Sequence, residues 1–266
     1  MERSLAARRV VVGSGWWSSP APNPWNIGDP ITRSPEFFGL WLHLVQRYIE
    51  PAAIVVVDSA SPRKPPAKLR AAATWIELDA NHGHANDLCT GLHPGKLAGV
   101  TRAIVLAATF ALCDDADIFC YVEQGCLVRG DGFIAGALAG RPPGIMFGAP
   151  TRDGRGLHGG PAAAMHQMSV ILVGRASIPR FVNALLTAPE SDGDMSPEIK
   201  LARYCAPFEE LALPFGRSRP IDFTVPAFYI KHATTEELQQ FCRVEGIRAG
   251  YFGLPAAYDS ECDPFP

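Results

Sequence analysis

The apolar residues of this chain come in short continuous runs set between longer stretches of helical spacing. Arg9 to Gly13 (RVVVG), Ala53 to Val57 (AIVVV), Ile118 to Val122 (IFCYV) and Met168 to Val173 (MSVILV) are runs of this kind. Runs of this length without alternation read as strands buried on both faces, as in a parallel sheet covered by helices. Thr74 to Leu78, Ile145 to Gly148 and Phe228 to Ile230 add three further strands. Between them the period changes. Phe37, Trp41, Leu44, Val45 and Tyr48 recur at helical spacing, opening near Ser34 as N-cap with Pro35 and Glu36 in the first turn. Lys96 to Leu112 carries an apolar face of Leu97, Val100, Ile104, Ala107, Ala108 and Ala111. Shorter helices are expected at Phe133 to Ala139, at Pro179 to Leu186 and from Pro197. A last one covers Thr235 to Phe241, announced by Thr234 and Glu237 as a capping box. Strands alternating with helices predict an α/β fold with a mixed, mostly parallel central sheet flanked by helices.

Composition narrows the function classes. The chain has 266 residues, is 47% hydrophobic and has a net charge of −3. That is enough apolar material for a sizeable core, and the charge does not favour a nucleic-acid backbone. The start, MERSLAARRVVVG, lacks the apolar segment of a secretory signal, and the apolar stretch Ala103 to Cys113 is too short to span a bilayer. Seven cysteines without a CxxC pair fit reduced thiols, hence a cytoplasmic protein with no transmembrane segment. No repeat, charge block or low-complexity linker marks a boundary, so a single domain over 1–266 is expected.

The chemistry is expected where strands end. In open α/β sheets ligands bind beyond the carboxyl ends of the strands. Glu123-Gln124-Gly125 stands at that end of the central strand, whereas the acidic pair Asp115 and Asp117 precedes it, at the opposite edge, as a solvated turn. Gly13-Ser14-Gly15 follows the first strand, but Ser18 stands where a dinucleotide fingerprint needs its third glycine. Prolines at 20, 22, 24 and 30 then forbid the helix that this fingerprint opens. Trp16, Trp17 and Trp25 in the same loop either cover a ligand or pack the loop onto the core. Asp58 closes the second strand and suits hydrogen bonds from a ribose or a base, or a turn with Ser59 and Ser61. His82 and His84, two apart without a third ligand, suit a hydrogen-bonding loop better than a metal site. His43, on the first helix, reads as structural.

The order of these pieces resembles a nucleotide-sugar glycosyltransferase of GT-A type, similar to glycosyltransferase family 2. VVVDSAS, the loop Asn81-His82-Gly83-His84-Ala85, the helix GKLAGVTRAIVLAATFAL and the strand IFCYVEQGC carry the resemblance. It covers roughly 8–150, with a looser match of SPE, GRSRPID and FYIKHAT beyond. The resemblance implies a nucleotide-sugar-binding half at about 8–150 and an acceptor half at about 151–266. The activity it implies is transfer of a sugar from a nucleoside-diphosphate donor, UDP as the generic choice, to an acceptor hydroxyl on a small molecule or glycan. The alternatives are a weak or inactive nucleotide-sugar-binding module, or a sugar nucleotidyltransferase.

The resemblance also implies roles for residues. Gly13, Ser14, Asp58, Asn81, Gly83, Lys96, Arg102, Glu123, Gln124, Arg217, Arg219 and Lys231 would bind the donor. The family's Asp-x-Asp metal motif falls on Glu123-Gln124-Gly125, where Gly125 replaces the usual second acid. Glu123 and His232 would therefore be the residues reaching a Mn²⁺ or Mg²⁺ ion, which wants hard oxygen ligands. A departing diphosphate needs positive charge, and Arg217, Arg219 and Lys231 could supply it with little or no metal. Glu198 is the first choice for the base that takes the acceptor proton, and Asp222 the second.

Overall fold

The computed structural model describes residues 8–20, 28–83, 88, 91, 95–139, 144–149, 167–205, 210–216 and 221–258. The elements in chain order begin with β1 (Val10–Trp16), α1 (Phe37–Tyr48), β2 (Ala53–Asp58), α2 (Ala67–Arg70) and β3 (Thr74–Glu77). The central part is α3 (Gly99–Cys113), β4 (Ile118–Val122), β5 (Cys126–Arg129), α4 (Phe133–Leu138) and β6 (Ile145–Ala149). Then come β7 (Gln167–Gly174), α5 (Ile178–Thr187), α6 (Pro197–Cys205), β8 (Glu210–Gly216), β9 (Phe228–Lys231) and α7 (Thr235–Glu245).

Seven strands form one sheet in the order β3-β2-β1-β4-β7-β6-β8. The pairs β3–β2, β2–β1, β1–β4 and β6–β8 are parallel, and β7 alone runs against its two neighbours. The expected α/β architecture with a mostly parallel sheet is therefore present. β5 and β9 pair antiparallel as a small second sheet, Cys126 opposite Lys231.

Because side chains alternate across a strand, each apolar run feeds two cores. Val10, Val12 and Trp16 of β1, with Ile118, Cys120 and Val122 of β4, pack on the side of α1, α7 and the small sheet. Val11, Phe119 and Tyr121 face α3, α5 and α6. The glycines of β1 serve this second face. A Cβ on Gly13 would lie 2.6 Å from Ala107 Cβ and 2.7 Å from Phe119 Cε2, and one on Gly15 3.0 Å from Ala103 Cβ. Helix α3 approaches β1 closely because these two residues have no side chain.

Several sequence expectations change here. β1 does not stop at Gly13 but continues through Gly13-Ser14-Gly15 to Trp16, pairing with β2 from Val11 to Trp16. Trp16 is accordingly a core residue, edge-on to Phe38 and Trp75, and not part of a covering loop. Helix α3 starts at Gly99 rather than Lys96. Two strands escaped the sequence. β5 is only four residues long and follows a turn, and β8 contains Pro214 and lacks a clear period. Of the acidic pair before β4, Asp115 is exposed as expected and pairs with Arg175, whereas Asp117 is half-buried, its Oδ2 accepting from Arg9 N (2.8 Å). Trp25 and the glycine-rich stretch 151–160 lie outside the described residues.

Candidate functional site

β4 ends at Val122, and its ladder with β7 continues one bond further, Glu123 N donating to Ser169 O at 2.9 Å. The chain then reverses. Cys126 N donates to Glu123 O at 3.0 Å, and Gly125 takes a left-handed φ of 73°. A Cβ there would come within 2.9 Å of Thr32 O, so the turn needs glycine for both conformation and space. The reversal launches β5, and its pairing with β9 sets Lys231 directly beside the turn. Lys231 Nζ donates to Gln124 O at 2.6 Å and stands 2.7 Å from Glu123 Oε1. Glu123 Oε2 accepts from Ser169 Oγ at 3.2 Å.

The pair is strongly unequal in exposure. Lys231 keeps 4% of its side chain in solvent and Glu123 24%. Burial by itself would raise the Glu123 carboxyl, but Lys231, His232 and Arg33 outweigh it and hold the group at about 2. Burial also pulls the Lys231 ammonium below the usual lysine range, with Arg33 acting the same way and Glu123 opposing. One ionised carboxylate is thus in direct contact with Lys231 and in the field of His232 and Arg33.

Arg33 and His232 reach this point through a stapled loop. Asp29 N donates to Ala233 O at 2.8 Å, and a Cβ on Gly28 would meet the His232 carbonyl carbon at 2.6 Å. Asp29 Oδ1 caps the short turn Pro30–Arg33, while its Oδ2 accepts from Thr235 Oγ1 and Tyr258 Oη, both at 2.6 Å. His232 itself has a left-handed φ of 58°, an uncommon state for a residue with a Cβ. It sits on the link between β9 and the Thr234 cap of α7, where Thr234 and Glu237 form the expected capping box.

The remaining sequence candidates divide into three groups. Glu123, Gln124, Lys231 and His232 come together. Asp58, Asn81, Gly83, Lys96 and Arg102 lie along the same carboxyl edge but are largely committed to the fold, and Glu198 stands near that edge as well. Asp58 is fully buried, with Oδ1 accepting from Ser61 N (2.9 Å) and Oδ2 3.2 Å from Lys64 Nζ, so it closes its own turn. Asn81 Oδ1 accepts from Gly83 N (3.0 Å), and Gly83 O accepts from Gly99 N (3.0 Å) at the start of α3. Lys96 Nζ donates to Leu186 O and Arg102 Nε to Leu97 O. Glu198 stands in the first turn of α6, and the preceding segment is tied to the same edge. Asp192 Oδ2 accepts from Ala98 N at 2.6 Å, and its Oδ1 pairs at 2.7 Å with Lys200, both side chains fully buried.

The third group does not join the site. Gly13 lies within β1 under α3, and Ser14, on the opposite face, donates weakly to Gly15 O at 3.3 Å. Neither forms a phosphate loop. Asp222 makes an exposed turn, its Oδ1 accepting from Thr224 N, and precedes Phe228. The length of β9, about 10 Å at 3.3 Å per residue, therefore separates it from Lys231. Arg217 and Arg219 lie outside the described residues. Sequence reasoning did not assign Arg33 or Ser169 to the site. Arg33 had a signal, since it directly precedes Ser34, the expected cap of a helix that must begin at the carboxyl edge. In the structure α1 starts at Phe37 with Glu36 as its N-cap, and Ser34 Oγ accepts from Phe37 N at 3.2 Å. Ser169 had none, because β7 is antiparallel and brings its first residues to that edge only through pairing.

A divalent ion at Glu123-Gln124-Gly125 would need several hard oxygens. Glu123 is the one carboxylate of that turn, one of its oxygens faces an ammonium and the other a hydroxyl. Among the described residues no group of three or more His, Cys, Asp or Glu side chains is placed to hold a metal. Among the described residues, the donors at this turn do not by themselves make such an oxygen cage. Among the described residues no helix is long and apolar enough to cross a membrane.

No protein-family model matches the chain, and no curated protein matches it. Solved structures do superpose on it, and one reaches a TM-score that shows a shared fold. A protein assigned as a glucose-1-phosphate thymidylyltransferase from Bacillus anthracis, solved in complex with sucrose, superposes with a TM-score of 0.50 at 11% identity. The match covers 95% of this chain and 99% of that one. A protein assigned as a nucleotide-diphospho-sugar transferase from Desulfovibrio desulfuricans G20 gives 0.48 at 13% identity, over 94% and 92% of the two chains. The galactosyltransferase LgtC gives 0.38 at 11%, over 76% and 72%.

Proposed function

We propose that this chain is a transferase acting on nucleoside-diphosphate sugars, moving the sugar to an acceptor hydroxyl. The observation that carries the proposal is the Glu123–Lys231 pair beyond the carboxyl end of the central strand, with His232 and Arg33 acting on the same carboxylate. That edge is where open α/β sheets take their ligands. The fold, shared with a protein assigned as a thymidylyltransferase, agrees with such chemistry without naming the reaction.

In the proposed step the acceptor oxygen bonds to the anomeric carbon as the bond from that carbon to the diphosphate oxygen breaks. The electron pair leaves on the diphosphate, and the acceptor proton passes to a carboxylate. Charge developing on the leaving oxygen needs fixed positive groups at a partly desolvated site. Arg33, Lys231 and His232 fill that role, with Glu123 holding Lys231 in place, and no metal takes part. Glu198 is the base, since it shares the edge with Glu123 whereas Asp222 lies at the far end of β9. A nucleotidyltransferase would instead need a basic, glycine-rich loop directly after β1. Trp17, Ser18, Ser19 and Pro20 stand there.

The test is turnover and transfer across a panel of nucleotide sugars, with chelator or with added Mn²⁺. Chelation should leave the rate unchanged, and Lys231→Met should lower it about 100-fold, as expected for removing a charge-stabilising donor. Dependence on Mn²⁺ restored after chelation would overturn the cation mechanism. Donor binding without any turnover would mark a nucleotide-sugar-binding module instead.

A further inference from the structure

A cavity of about 10 Å³ lies between the first turns of α1 and the tip of β4, lined by Ser14, Trp16, Phe37, Phe38, Trp41, Gln124 and Gly125. Two of these residues bring buried nitrogens that have no hydrogen-bond partner among the described residues, Gln124 Nε2 and Trp41 Nε1. Trp41 is 2% exposed and Gln124 8%. The orientation of the Gln124 amide is fixed independently. Trp17 N donates to one of its terminal atoms at 2.9 Å, which must therefore be the oxygen, leaving the NH₂ group on the other side.

Two donors cannot satisfy each other, and each requires an acceptor. Ser14 lines the same cavity, and its Oγ, while donating to Gly15 O at 3.3 Å, keeps lone pairs that can only accept. The species that accepts from two N–H groups and donates to a hydroxyl is water. A single buried water needs roughly 10–15 Å³ and two to four polar partners. The cavity meets the lower bound of that volume and is too small for a second molecule.

We propose that this cavity is a binding site for one structural water, which accepts from Trp41 Nε1 and Gln124 Nε2 and donates to Ser14 Oγ. Its role is positional. It locks the Gln124 side chain between α1 and the backbone of Trp17, so the turn that carries Glu123 is held from β1 and α1 as well as from β9. The inference does not depend on the sugar-transfer proposal and stands or falls separately from it.

The test uses the full chain in two measurements. An atomic-resolution crystal structure should show one ordered water within hydrogen-bond reach, roughly 2.7–3.2 Å, of both nitrogens. In solution the indole N–H of Trp41, assigned by its loss in Trp41→Phe, should show magnetisation transfer from a long-lived water. In Gln124→Met that transfer should weaken and the resonance should shift toward the position of an unbonded indole. A halide at the site, a cavity without density, a protein acceptor on either nitrogen, or an indole signal without water transfer would each overturn the proposal.

Discussion

Glu123 and Lys231 illustrate how a charged pair can be dictated by pairing register and remain hard to see in a sequence. They are more than a hundred positions apart, and neither neighbourhood looks unusual alone. The turn after β4 could be read from Glu123-Gln124-Gly125, because a buried run ending in polar residues and glycine has few alternatives. What could not be read was the partner. Lys231 ends a four-residue strand, and only the pairing of Cys126 with Lys231 puts its ammonium on the carboxylate. Removing that ammonium takes away a cation in direct contact with a mostly buried carboxylate. Lys231→Met should therefore destabilise the fold by about 3 kcal/mol, the low end for breaking a buried pair, since a quarter of Glu123 still meets water. The double variant with Glu123→Gln should regain much of that loss. Urea unfolding midpoints would decide it, and additive losses in the double variant would contradict a coupled pair.

At the level of elements, the sheet and its helices follow from the spacing of apolar residues, and most boundaries shift by only a few positions. The start of α3 is a case where spacing misleads. Leu97 continues the apolar face, yet residues before Gly99 are held by Asp192 and by the 81–83 turn instead of by helical bonds. Gly13 and Gly15 are a second case. Sequence pattern alone suggests a loop, whereas the structure uses them to let α3 rest on β1. Gly13→Ala would push a methyl into Ala107 and Phe119, both fixed in the core. The expected cost is about 1–3 kcal/mol, typical of overpacking. Gly136 in α4 is the control, since a Cβ there meets nothing within 4 Å. Gly136→Ala should leave stability unchanged or raise it by about 0.5–1 kcal/mol. Comparing the two denaturation midpoints tests whether Gly13 acts through packing, and equal midpoints would refute that.

At the scale of the molecule, two cores on either side of one sheet meet at the edge where Glu123 lies, so its ionisation is linked to global stability. Its carboxyl is held at about 2 against an ordinary value of 4.5. Between those values the unfolded chain binds more protons than the folded one, so stability must rise with pH there. This contribution is complete above about pH 5 and lost by about pH 2. Unfolding free energies measured across that window should fall more steeply for the wild type than for Glu123→Gln. Parallel curves would show that Glu123 is not held down in the folded state. By itself the sequence determined the α/β class, the buried central strand and the edge at which its polar turn emerges. Those follow from local period and from the short range of turn chemistry. Tertiary structure alone decided which side chains share that edge, that Asp58 spends its oxygens on its own turn and Lys64, and that Lys231 faces Glu123. Such choices depend on strand order and register between distant segments, and period along the chain carries no information about them.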